Sequence, residues 1–174
     1  MPEQPPPDDL TGLTLCPGCG LLLPAADGPT HSYIGASAAC WALYGQVLAI
    51  EAGTYRQPAW HRLTVDAYAV QHPGIPERRS IQSVCVHLIS LCLVLEHDIS
   101  PSRATRLLGT VLASRPAFVW LEPPPSGRLT ARDLLRAADR DDHERRSWAW
   151  AGEQWSSWRA HHAQIRLWTD DALR

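Results

Sequence analysis

The stretch over residues 77–97, with "SIQSVCVHLISLCLVLE" at its centre, constrains this chain more than any other. Its helical pattern is apolar almost all the way round. A surface helix shows one apolar stripe, and a helix apolar on every side has to be enclosed by other elements. This segment therefore predicts a central helix inside a bundle. Ser80, Ser83, His87 and Ser90 recur on one line along it. Buried polar groups need hydrogen-bond partners, and a neighbouring helix is expected to supply them. Its apolar run, "VCVHLISLCLVL", has the length of a buried helix and falls short of a membrane span.

The enclosing helices can be read from caps and breakers. Ser37 is a good N-cap for "AACWALYGQVLAIEAG", which ends near Gly53. A second helix is expected to start at Pro58, run through "AWHRLTVDAYAVQ" and stop before Pro73. A fourth opens at Ser100-Pro101, and Thr130 caps a short fifth. The tail "HERRSWAWAGEQWSSWRAHHAQIRLWTDDAL" reads as one long helix. No stretch alternates with period two, and no internal repeat is present. The expected fold is all-α: a helical bundle of about five to six helices with a zinc-knuckle-like N-terminal loop. Residues 1–12 read as a disordered tail. Residues 13–174 read as a single helical domain, with the metal-binding loop inside 13–40.

Charge and cysteine usage narrow the function classes. A net charge of −2 argues against nucleic acid as a partner, because phosphate binding needs a basic surface. All sixteen basic residues are Arg. GC-rich bacterial coding would explain that, and without Lys no Schiff-base mechanism is available. The N-terminus has no apolar signal region. Neither a membrane nor a secreted disulfide framework is expected. Five cysteines, an odd number, two of them inside the apolar helix, fit a reducing cytoplasm.

The motif "CPGCG" places Cys16 and Cys19 at C-x-x-C spacing. A thioredoxin-like redox pair needs a strand–helix setting, which is missing here. A disulfide conflicts with the reducing compartment. A zinc knuckle remains, with Gly20 allowing the tight turn. A closed structural zinc site takes four Cys or His ligands. The nearest further donors are His31 and Cys40, so the expected set is Cys16, Cys19, His31 and Cys40. A buried core thiol beside Trp41 is the plain alternative for Cys40. Four protein ligands leave no open position, which makes the zinc a staple.

Three helices also carry histidines on lines that could turn inward. In the second, His61, Thr64, Tyr68 and then Gln71 or His72 share a stripe. The central helix contributes His87, and the tail contributes His162 beside Trp155 and Trp158. Together they suggest a pocket lined by His61 or His72, Tyr68, His87 and His162. It would act on a small molecule by acid–base chemistry or through a second divalent metal. Each residue also has a plainer reading. His87 can be a satisfied core histidine, the tryptophans can be simple core, and His72 can cap carbonyls at a helix end. Asp66 can pair with Arg62 four residues earlier. His97 and His143 look like surface residues. An enzyme with this pocket is the first functional expectation, and a non-catalytic zinc-binding interaction or regulatory module is the second. Burial of Trp155, Trp158 and His162 around a cavity with His87 would favour the enzyme.

The motifs "CPGCG", "GPTHSYIGAS", "CWALYG", "HRLTVDAYAVQHPG", "SIQSVCVHLISLCLVLE" and "FVWLEPP", with a Trp-rich tail ending "HHAQIRLW", resemble a family of uncharacterised bacterial proteins, the domain of unknown function numbered 5946. The resemblance runs from about residue 15 to 168 and implies no particular reaction. It implies that Cys16, Cys19, His31, Cys40, His61, Asp66, Tyr68, His72, His87 and His162 belong to the family pattern, without saying which are ligands.

Overall fold

The structure is a computed structural model and describes residues 12–113 and 116–173. The expected tail lies outside the described residues apart from Gly12. Among the described residues the chain forms a two-stranded ribbon followed by seven α-helices. The ribbon pairs β1 (Leu13–Leu15) antiparallel with β2 (Leu22–Pro24), Thr14 facing Leu23. The helices are α1 (Ala38–Gly53), α2 (His61–Gln71), α3 (Arg78–Leu95), α4 (Pro101–Ala113), α5 (Ala131–Leu135), α6 (Arg140–Ser157) and α7 (His162–Leu173).

The central position of α3 follows from its composition. It packs against α2, α4, α6 and α7. By length and composition it is apolar enough to cross a membrane, but most of it is buried inside the bundle, as a core helix is. Its polar line is satisfied as burial requires. Ser80 donates to the Tyr33 carbonyl, while His87 and Ser90 donate to Asp66 on α2. The Ser37 side chain accepts from Cys40 N and caps α1. Thr130 and Asp133 form a reciprocal capping box on α5.

The elements depart from expectation in three places. The ribbon flanking "CPGCG" was not expected. Strands of three residues are too short to show alternation, and only Leu23 among them is buried. Helix α2 begins at His61, not Pro58, because Arg56 and Gln57 hold positive φ and residues 58–60 form a separate turn. The tail is two helices, not one. Trp158 leaves the helical conformation at φ −81°, ψ 11°, and Arg159–His161 make a turn of 3-10 helix before α7.

Candidate metal centre

Cys16, Cys19, Cys40 and His72 converge, all buried, with their ligand atoms within 4.8 Å of one another. Three elements bring them together. Cys16 and Cys19 sit on the turn of the ribbon, where Gly20 N donates to Cys16 O (2.9 Å) and Gly20 takes a φ of +72°. Cys40 lies in the first turn of α1. His72 is the C-cap of α2, turned out of helix at φ −124°, ψ 62°, as the following Pro73 demands.

Two of the six spacings match the edges of a tetrahedral centre, and the others lie within 4.8 Å. Cys19 Sγ is 3.7 Å from Cys40 Sγ, and Cys40 Sγ is 3.4 Å from His72 Nε2. Zinc–sulfur bonds of about 2.3 Å give tetrahedral sulfur–sulfur edges of about 3.8 Å, with slightly shorter edges to nitrogen. The surrounding groups are arranged for ligation too. His72 Nδ1 donates to the Tyr68 carbonyl (2.8 Å), which leaves Nε2 as the ligating atom. The Tyr68 hydroxyl donates to Cys40 Sγ (3.6 Å). Tyr68 is stacked between Tyr44 and His72.

Close packing of backbone seals the centre. A Cβ on Gly18 would lie 2.4 Å from His72 Cδ2 and 2.8 Å from the Gly35 carbonyl oxygen. Only glycine lets the knuckle close over the imidazole. Ser126 Oγ donates to Gly18 O (2.8 Å) and ties the proline-rich connector across the same loop.

Without a metal, Cys16, Cys40 and His72 are perturbed by their neighbours. Hydrogen bonds from Cys19 and Cys40 hold the Cys16 thiol far below its ordinary range. Cys16 and Cys19 push Cys40 up. Burial would lower His72, but its bonds to Cys16 and Cys19 outweigh that and carry it up to about 9. The metal-free site therefore carries thiolate character on Cys16 and favours imidazolium at His72. A divalent cation would displace the protons held on Cys40 and His72.

His31 is not in this cluster. Its ring lies against Tyr33 (4.2 Å, edge-on) and Trp41 (5.2 Å). The fourth position goes to His72 because folding α2 back against α1 brings the end of α2 to Cys40. Proximity in sequence favoured His31 and could not show this. The one local signal for His72 is its place at a helix end before proline.

The other expected pocket residues do not converge. His61 and His72 stand at opposite ends of α2, about 16 Å apart along its axis at 1.5 Å per residue. Tyr68 serves the sulfur cluster. His61 Nδ1 donates to Glu51 Oε2 (2.6 Å). His162 stacks on Trp155 (3.8 Å between centroids) and bonds to the Trp155 carbonyl. The break after α6 carries it away from His87. Trp155 and Trp158 are buried, but they enclose no shared cavity with His87 among those described.

Glu51, which sequence reasoning passed over, is wholly buried. Its carboxylate accepts from His61, from Thr64 Oγ1 (2.7 Å) and from His143 Nε2 (2.9 Å). His143 is therefore not a surface residue; it is 1% exposed. Burial alone would raise the Glu51 carboxyl, but His143, His61 and Thr64 together hold it below the usual carboxylate range. The signal was present in the sequence. Glu51 shares the face of Cys40, Tyr44 and Val47, where a carboxylate has to be paired.

Asp66 forms the third polar cluster. It pairs with Arg62 (2.8 Å) as its spacing predicted, and it also accepts from His87 Nδ1 (2.7 Å) and Ser90 Oγ (2.5 Å).

No curated protein and no solved structure matches the chain. The sequence model of the family of unknown function DUF5946 matches residues 14–159. That span takes in the ribbon, the four clustered Cys and His side chains and the helices up to α6, so the chain belongs to that family, DUF5946.

Proposed function

We propose that this chain is a zinc protein whose metal is a structural staple, and that the whole acts as a non-catalytic binding module. One observation carries the reading: three thiols and one imidazole, each buried, bring their ligand atoms within 4.8 Å of one another. Sulfur-rich sets with one imidazole favour zinc over hard cations such as magnesium or calcium. With four protein donors no position is left for substrate or water, so Lewis-acid chemistry at this metal is disfavoured. The metal would join the ribbon to α1 and α2 and fix the segment from Tyr33 to Gly35 against Gly74.

Metal content per chain, measured by elemental mass spectrometry on protein purified without added metal, tests this. The expected result is one zinc per wild-type chain. It is lost in Cys16→Ser and His72→Ala and kept in His31→Ala. Zinc retained in His72→Ala and lost in His31→Ala would overturn the ligand set. A second metal in the wild type would reopen the enzyme reading.

A further inference from the structure

Beyond the metal, we propose that the cleft beside the first turns of α3 binds a small molecule through an oxyanion, with Arg79 as the anchor and His87 as a fixed imidazole against it. The cleft has a volume of about 290 Å³ and is lined by Tyr33, Arg79, Gln82, Ser83, Val86 and His87. It is separate from the sulfur cluster.

His87 is oriented from behind. Asp66, with no exposed side-chain surface, holds Nδ1 at 2.7 Å, while the ring itself stays 17% exposed. With Nδ1–H donating to Asp66, Nε2 is left as an acceptor, which takes a hydrogen bond from a hydroxyl of the ligand such as the P–OH of hydrogen phosphate, while Arg79 meets the charged oxygens. A carboxylate needing only internal satisfaction would be served by Arg62 and Ser90, both of which already bond to it. The His87 bond adds a fixed tautomer and a fixed ring plane at the cleft wall, as a buried carboxylate does for a working imidazole elsewhere.

The charge around this ring favours an anion. Arg62 offsets Asp66 directly. Arg79 has no ion pair or hydrogen bond among the described residues, so its charge stands uncompensated at the cleft. Arg78 is likewise unpaired and lines an adjoining cavity that shares Gln82. Among the described residues, the charged or titratable groups bonded to His87 or lining the cleft with it are Asp66 and Arg62 from α2, Arg79 from α3 and Tyr33 from the loop before α1. None adds a negative charge beyond Asp66. Gln82, Ser83 and Tyr33 offer neutral donors. The cleft also lies at the positive end of the α3 dipole. A guanidinium with several neutral donors suits a carboxylate or phosphate group.

The test follows the imidazole nitrogen signals of the full-length, zinc-loaded chain during titration with inorganic phosphate, with chloride at matched ionic strength as control. The expected result is a saturable shift of the His87 signals at roughly millimolar affinity, with the His61 signals unmoved. Arg79→Ala, an exposed substitution that leaves the core intact, should weaken binding at least about tenfold, equivalent to about 1.4 kcal/mol. A shift that does not saturate, one that chloride reproduces, or an affinity unchanged in Arg79→Ala would overturn the proposal.

Discussion

At Glu51 a carboxylate lies wholly buried between α1, α2 and α6, bonded by two imidazoles and a hydroxyl. Removing one partner of a buried charged pair typically costs about 3–5 kcal/mol, because the other is left unpaired. Glu51→Gln should therefore lower the unfolding free energy measured by urea titration at pH 7 by an amount in that range. The acid behaviour follows from the same carboxyl. Its folded pKa lies below the ordinary carboxylate value of about 4.5. It thus contributes stability that is fully present above about pH 4.5 and is lost as pH falls through the lower folded value. Midpoints measured from pH 7 to pH 3 should fall steeply in the wild type and less steeply in Glu51→Gln. Gly18 presents a steric constraint at the same scale. A methyl group there would overlap the His72 ring, so Gly18→Ala should weaken zinc retention against a competing chelator by about tenfold or more, with the helical signal unchanged. Disturbing the groups that orient a metal ligand typically costs about 10–100-fold in metal affinity.

Among the elements, the junction of α6 and α7 shows how a sequence pattern can mislead. The Trp and His residues from 155 to 168 sit at helical spacing, so the tail reads as continuous. The His162 ring instead takes up the Trp155 carbonyl, and Trp158 N is shared between the Gln154 and Trp155 carbonyls. Glu96 at the end of α3 then clasps both pieces. It accepts two bonds from Arg166 on α7 (2.7 and 2.8 Å) and one from Trp155 Nε1 (3.2 Å). Such a half-exposed pair contributes about 1 kcal/mol or less. Arg166→Ala should therefore speed amide exchange in α7 while leaving exchange in α3 and the global midpoint nearly unchanged. Helix starts set by local chemistry were legible: Ser37 and Thr130 cap where expected because a cap needs only its own next three residues. The ribbon was not legible, since its pairing is fixed by the knuckle turn and not by strand patterning.

For the whole molecule, the candidate metal centre adjoins the helical core, with Cys16, Cys19 and Cys40 buried in continuity with it. The helices that pack on α3, namely α2, α4, α6 and α7, carry none of the four cluster residues except His72 at the end of α2. Chelation should therefore free the ribbon and the loop up to about residue 36 without melting the bundle. Amide exchange after chelator treatment should rise in that segment, while far-ultraviolet circular dichroism falls only slightly. A small zinc finger behaves differently, because nearly all its folding free energy comes from the metal. Complete cooperative unfolding on chelation would mean that the centre supports the bundle as well as the loop.

The sequence by itself determined what short-range chemistry controls. It set the all-helical class, the burial of α3, most helix boundaries, the Cys16–Cys19 knuckle, the Arg62–Asp66 pair and the requirement that His87 and Ser90 find partners on α2. Tertiary structure decided which distant side chains meet. It placed His72 instead of His31 beside the three clustered thiols, sent His61 and His143 to Glu51, and divided one expected histidine pocket among separate sites. The reason is geometric. Spacing along a helix fixes which residues share a face, but which faces meet depends on how the helices are ordered and turned around α3. That arrangement is set by the packing of the whole core, which no local window of sequence contains.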